Sequence, residues 1–495
     1  MAAVDTCGSG RRRRRLNCGG LVATLLAALF VVVAAGCSAS GESIAHAGTA
    51  AKHRSKAATR CRLAGPGHTE RVNVSTGGQQ ANASTFRGNV SADGRFVVFS
   101  SFATSLVPND TNGVEDVFLR DLRLGTTTRV SVSSTGVEGN GGSLHPMVSA
   151  DGRLIYFRSR ASNLVPADRD GVEDLFVHDR ITGRTSIVPL GPIQEKPNRA
   201  GGPTSRPDCD KWCTNDLSAD GSVLLLSSRA PSLTRGDMPG DRDVFVLAHG
   251  RLIRVDVGPA GEGNGVSEGS SISADGHVVT YRSWASDIVR DDTNKRPDVF
   301  VRDWVTGVTQ RANVSSSGAQ ADGTSFRGVL SADGRYVGFR SRAKNLVKHD
   351  TNDALDVFIR DLRRKKTIRI SVASSGAQAD PRGLSKAVRY RVFMSRPFLS
   401  RHGRFAAFTS RAANLVRGDT NRHSDIFVRD LKLKRTVRVN MGFAGQADST
   451  SSITGISDDG RVIGYMSYAN NLVPGDTNGV RDYFVRIRDL RGICG

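Results

Sequence analysis

From residue 85 onward the hydrophobic positions come in short runs with the period of a β-strand, broken by Gly, Asp, Asn and Thr. One stretch reads "GNVSA" (88–92), an Asp93–Gly94 turn, then "RFVVFSS" (95–101) with its apolar residues on a half-buried strand. A polar loop follows, "NDTNGVE" (109–115), and then "DVFLRDL" (116–122), a turn around "RLGTT", and "TRVSVSS" (128–134). That is four strands in about sixty residues, and Asp-Gly is the strongest short hairpin signal. Apolar residues at helical spacing with caps are absent throughout.

The unit then repeats. "SADGR" or a variant starts at Ser91, Ser149, Ser218, Ser273, Ser331, Ser400 and Ser457, at spacings of 58, 69, 55, 58, 69 and 57 residues by subtraction. The loop keeps step, its first Asp at Asp110, Asp168, Asp237, Asp292, Asp350, Asp419 and Asp476, with a second Asp six residues later each time. Repeats of this length, each too small to bury its own hydrophobic face, have to stack. Seven four-stranded units without helices predict an all-β fold, a seven-bladed β-propeller of antiparallel blades. The seventh unit lacks a fourth strand, whereas "ERVNVS" (70–75) precedes the first unit and matches the fourth-strand phrase. The N-terminal strand is therefore expected to close the ring, since an unpaired edge is a liability. The propeller is expected over residues 70–495, behind a linker at 48–69.

Residues 1–47 read as an export signal with a low-complexity tail: Arg11 to Arg15, then the apolar run 21–36. Two exits follow. "AAGC" resembles a bacterial lipobox, which would make Cys37 a lipid anchor, and "AHA" (45–47) is an A-x-A cleavage site. Either places the protein outside the cytoplasm, at the cell envelope, where disulfides are permitted. Beyond the signal stand Cys61, Cys209, Cys213 and Cys494, a set with three possible pairings. Cys61 and Cys494 flank the closing strands, so a Cys61–Cys494 bond is expected to staple the ring, contributing about 2–5 kcal/mol. That leaves Cys209–Cys213.

Composition agrees with thin, repeated cores: 54 Gly and 38% hydrophobic residues. Lys+Arg number 69 against 48 Asp+Glu, yet the arginines are spread one or two per repeat. No helix or stripe collects them, which argues against a nucleic-acid partner.

Candidate chemistry lies on one face. In a propeller the loop between second and third strands shares a face with the inter-blade connections, and here that face also receives both long insertions, 189–216 and 376–400. The second strand ends in Ser plus a large residue: Phe102, Arg160, Arg229, Trp284, Arg342, Arg411 and Tyr468. Such a ring could grip an anionic or sugar-like ligand, or it could cover seams between blades. The Asp-Asn loops offer hard oxygens for calcium, most clearly in copies with a glycine at the turn: Asp110, Asn112 and Asp116; Asp168, Asp170 and Asp174; Asp476, Asn478 and Asp482. An Asx-turn capping the third strand explains all seven copies without an ion. Lys295, Asp353 and Arg422 stand at the glycine position of three others, which suits a turn better than a tight cation site.

No catalytic constellation interrupts the repeat. "GVSEG" (265–269) has the nucleophile-elbow spacing but follows a Gly-rich loop and enters a strand, and no repeated His, H-E-x-x-H or P-loop occurs. The phrase "S-A-D-G-R-x-V-x-F-x-S" followed by "D-V-F-V-R-D" resembles the TolB-type, WD-like propeller repeats of bacterial envelope proteins, from Glu70 to Leu490. The resemblance implies the fold and a role as an interaction platform. The expectation is an exported, non-catalytic scaffold for a protein or glycan of the cell envelope. Its alternatives are a calcium-binding adhesive propeller and a propeller-type enzyme, a lyase or glycosidase.

Overall fold

A computed structural model describes residues 67–190, 212–229, 233, 241–381 and 394–490. They form seven four-stranded antiparallel sheets arranged as the blades of a ring, without helices. Blade 1 runs outward from the channel as Thr85–Val90, Phe96–Ser101, Asp116–Asp121 and Thr126–Arg129. Blade 7 contains Ser451–Ile456, Val462–Ser467 and Asp482–Ile487, and takes its outermost strand from His68–Arg71. Thr69 pairs with Arg486 and Glu70 with Val485, so the ring closes with an N-terminal strand as the repeat phase predicts. The strand is shorter than the matching phrase. Beyond Val72 a tight turn, with Val74 N–H donating to the Val72 carbonyl (2.8 Å), ends the ladder as it does in the other blades.

The recurring motif is explained residue by residue. In blade 1 the Ser91 hydroxyl donates to Asp93 (2.6 Å) and accepts from the Phe96 amide, while Asp93 accepts from the Arg95 amide (2.9 Å). Arg95 then forks onto Asp121 at the far end of the third strand. Gly152 has a φ of +72°, and a Cβ there would collide with the Phe96 ring of the preceding blade. The glycine thus serves both the turn and the seam. The residue after Ser links the blades: the Ala150 amide donates to the Ala219 carbonyl, Ala219 to Ala274, Ala274 to Ala332 and Asp458 to Ala92, at 2.7–2.9 Å. These turns make a hydrogen-bonded floor around the channel.

The core is a set of seams. Within blades, rings of the second and third strands stack, as Phe99 on Phe118 (5.8 Å) and Phe157 on Phe176 (5.9 Å). Between blades, Phe96 and Val98 meet Ile155 and Phe157. Each such ring contributes roughly 1.5–3 kcal/mol of burial. Most third-strand arginines are structural as well. Arg120 donates to the Ser75 carbonyl, Arg360 to that of Ser315 and Arg429 to that of Ala373, each clamping the preceding connection.

Cys213 is disulfide-bonded. Cys37, Cys61, Cys209 and Cys494 lie outside the described residues, and with them the export segment and the expected pairings.

Candidate functional site in the central channel

The innermost strands line a pocket of about 530 Å³ along the ring axis. Each of these strands carries an irregularity. Register slips at Phe86/Gly88 in blade 1, Leu144/Met147 in blade 2 and Phe326/Val329 in blade 5. In blade 6, Met394 bridges Ser410 and Phe398 pairs Ala407, which again leaves one residue extra. The residues at these slips are Arg87, His145, Arg327 and Arg396. A bulge re-aims a side chain that an even pleat would bury in the blade. Arg87, His145 and Arg396 line the pocket.

These side chains lie close enough to feel one another. Burial holds Arg87 below the ordinary arginine value, and the nearby Arg327 adds to this. Arg396 is shifted the same way by burial; Asp216 works against the shift, and Arg327 and Arg87 add to it. Behind them Arg340 is pushed down to about 10 by burial and by Arg396, Arg282 and Arg327. The acids of the region are already engaged. Glu268 takes Arg242 (3.4 Å) and Arg327 (3.2 Å), Glu173 takes Arg158, and Asp216 accepts from the Leu217 and Ile272 amides and the Ser271 hydroxyl. Like charges held together in a partly buried site favour an anion between them.

His145 stands among these cations with a φ of +55°, an uncommon conformation for a residue with a side chain. Burial first, then Arg87 and Arg158, push its imidazole down to about 3, so it is neutral at working pH. The Arg158 guanidinium approaches Nδ1 at 3.4 Å, which leaves the proton on Nε2. A neutral imidazole so placed can donate a hydrogen bond to developing negative charge.

The rim residues expected from sequence sit at the ends of the second strands, beside the start of the innermost ones. Phe102, Trp284 and Tyr468 are about half exposed (49%, 46% and 53%). Phe102 meets Phe86 edge-on at 5.9 Å, and Arg481 lies over Phe86 (4.7 Å) and Tyr468 (5.9 Å). Across the ring, Arg282 covers Trp284 (3.9 Å) and Phe326, which Arg342 also approaches. Arg411 turns to its own loop, donating to the Arg422 carbonyl (3.4 Å), and Arg160 and Arg229 are exposed. Sequence reasoning missed the deeper cluster. Its signal was a basic residue followed by Gly or Pro inside the innermost strand: Arg87–Gly88, His145–Pro146, Arg327–Gly328, Arg396–Pro397.

The Asp-Asn loops lie away from the channel, at the outer corners of the blades. Asn112 caps the Val114 amide and donates to Asp116 (2.8 Å), the Asx-turn arrangement. Between Asp110 and Asp116 sits Arg129, at 3.3 and 3.4 Å, and between Asp476 and Asp482 sits Arg71, at 3.0 and 3.5 Å. In both copies a guanidinium takes the space that an ion would need. Among the described residues, one group of carboxylates is close enough to hold a metal, Asp168, Asp170 and Asp174.

No protein-family model and no curated protein matches the sequence. Solved structures similar to the chain include an oligogalacturonate lyase in complex with manganese (11% identity, TM-score 0.48, covering 86% of this chain and 94% of that one). They also include the β-propeller domain of the Trilobed protease from Pyrococcus furiosus (12%, 0.45, 82% and 95%). A third is a putative TolB from Agrobacterium tumefaciens (14%, 0.35, 74% and 96%). The fold is a seven-bladed β-propeller. The expectation of a non-catalytic scaffold is corrected by the same comparison. Propellers similar to this chain occur in a lyase and in peptidases as well as in a TolB, so the repeat gives no ground for excluding catalysis.

Proposed function

We propose that the protein is a propeller-type lyase that acts on an acidic polysaccharide in its central channel. The observation that carries this reading is the gathering of Arg87, Arg327 and Arg396 at bulges of the innermost strands, with a neutral His145 in left-handed backbone beside Arg87 and Arg158. A uronate ring offers a carboxylate to the guanidiniums and its apolar C–H face to the aromatic rim at Phe102, Trp284 and Tyr468. In a β-elimination the carbon bearing the carboxylate gives its proton to a water molecule, a carbon–carbon double bond forms to its neighbour, and the glycosidic C–O bond breaks with its electrons going to the leaving oxygen, which takes up a proton from water. Negative charge builds on the carboxylate as the proton leaves. Arginines fixed around it stabilise that charge more in the transition state than in the bound substrate. His145 donates from Nε2 to the charge developing on the substrate. The export signal read at residues 1–47 fits a polymeric substrate outside the cytoplasm.

The full chain incubated with polygalacturonate, alginate or hyaluronate is expected to release products with the ultraviolet absorbance of an unsaturated uronate. Neutral glucans are expected to give none. Arg327→Ala should weaken binding of an oligouronate in calorimetry, and His145→Ala should lower kcat while KM stays close to the parent value. Absence of unsaturated product from every acidic polymer would refute the lyase. Absence of oligouronate binding would refute the anion site itself.

A further inference from the structure

The outer corners of the blades repeat one arrangement, and blade 2 departs from it at three positions together. In every other blade a fourth-strand arginine pairs with the second Asp of the loop. These pairs are Arg71–Asp482 (3.5 Å), Arg129–Asp116 (3.4 Å), Arg254–Asp243 (2.5 Å), Arg311–Asp298 (3.1 Å), Arg369–Asp356 (3.3 Å) and Arg438–Asp425 (3.3 Å). In five of them the first Asp also meets that arginine, as in Asp350–Arg369 (2.9 Å) and Asp419–Arg438 (3.2 Å). Blade 2 has Ile187 at the equivalent place: it pairs with Phe176 as Arg129 pairs with Phe118. Two residues further on, where Ser131 or Asn313 donates to the second Asp (2.5 Å each), blade 2 has Pro189, which has no donor. In the loop, where the Asn112 amide donates to Asp116 (2.8 Å), blade 2 has Asp170.

Asp170 keeps the turn. One of its oxygens accepts from the Val172 amide at 3.0 Å, as Asn112 does from Val114, so the other occupies the place of the donating nitrogen. Asp168 is 5% exposed, its Oδ2 has no hydrogen-bond partner, and no Lys or Arg among the described residues forms an ion pair with it. Ligand oxygens of Asp168, Asp170 and Asp174 lie within 4.8 Å of one another. Oxygens at 2.3–2.6 Å from a common calcium ion are at most about 5 Å apart, so the three fit one coordination shell.

We infer that blade 2 binds a divalent cation, calcium, through Asp168, Asp170 and Asp174, at the place where the other blades hold a guanidinium. In the other blades the positive charge at this place comes from a fourth-strand arginine, where blade 2 has Ile187. Three hard carboxylate oxygens with backbone carbonyls and water completing the shell are a calcium set rather than a zinc set. The site stands apart from the channel, and the inference does not rest on the lyase reading.

The full chain, stripped with chelator and titrated with calcium chloride, is expected to bind one ion per chain by calorimetry and to melt at a higher temperature with calcium than with chelator. Magnesium should bind more weakly. Ile187→Arg installs the side chain that the other blades carry, and should weaken calcium binding about tenfold or more and remove the melting shift. Asp170→Asn, the residue of blade 1, should do the same with an intact turn, and serves if the arginine variant fails to fold. No calcium bound at millimolar concentration would overturn the proposal. So would parental affinity in a folded Asp170→Asn or Ile187→Arg chain, which would put the ion elsewhere.

Discussion

Arginine does two different jobs in this propeller, and where each arginine sits tells them apart. At the outer corners, Arg129 lies among Asp110, Asp116 and Glu138, and its counterparts lie among similar carboxylates. In the channel, Arg87, Arg327 and Arg396 face one another, and the acids near them are already paired. A corner arginine has its charge met by the fold, so it supports the fold. The channel gathers Arg87, Arg242, Arg327 and Arg396 about Glu268 and Asp216, so charge is left over for a ligand. The contrast explains how one chain can hold arginines in structural roles at its corners and still present a cationic centre.

The largest effect should come from breaking a corner. Arg129→Ala removes the guanidinium from two buried carboxylates, and stranding them should cost about 3–5 kcal/mol. It should be read as a lowered denaturation midpoint, with oligouronate affinity unchanged. Arg327→Ala, whose side chain is 41% exposed and whose partner Glu268 keeps Arg242, should leave the midpoint nearly where it was and weaken the ligand instead. If both variants lost stability equally, the division between corner and channel would be gone.

The blades were legible in the sequence because their signals are local and repeated. Asp93–Gly94 and its counterparts mark a turn, and the spacing of "SADGR" sets the ring. Even the closing strand could be placed, because "ERVNVS" repeats a known phrase. The channel was less legible for a physical reason. Arg87, His145, Arg327 and Arg396 come from four different blades, far apart in the chain, and are united only when the ring closes. Each looks like a stray polar residue in an apolar strand until a bulge turns it inward. The corner arginines were equally hidden, since nothing in the loop "NDTNGVED" announces that Arg129, on another strand, will fill it. Ile187 could be recognised as a departure only once the register placed it opposite Phe176.

A smaller effect concerns pH. Burial, together with the second Asp of the loop, lifts Asp110, Asp350 and Asp419 from 3.8 to about 6, and Asp476, lifted by burial, reaches the same value although Arg71 opposes the shift. In the unfolded chain these groups lose their protons near 3.8, so between pH 4 and 6 the folded state holds more protons. Their contribution to stability is therefore largest near pH 4, declines as pH rises towards 6, and changes little beyond. Asp110→Asn should remove one share of that decline, seen as a shallower fall in denaturation midpoint from pH 4 to pH 7. A fall as steep as the parent's would mean that Asp110 carries no share of the decline.

The smallest effect separates the two regions by strain. Lys295, in a corner loop, has a φ of +54°, at the position where Gly113, Gly171 and Gly479 serve other blades. His145, in the channel, has a φ of +55°. Left-handed backbone costs a residue with a side chain about 1–2 kcal/mol relative to glycine, and glycine returns part of that through its freer unfolded state. Lys295→Gly should therefore raise stability by about 1 kcal/mol and leave ligand binding and turnover unchanged. The corner can relax without loss, because its work is done by the carboxylates and the arginine. His145→Gly relieves the same backbone strain, yet it should abolish turnover. Strain that can be relieved at no functional cost is an accident of the repeat. Strain that cannot be relieved is part of the site, and assays of these two variants side by side would decide which description fits the channel.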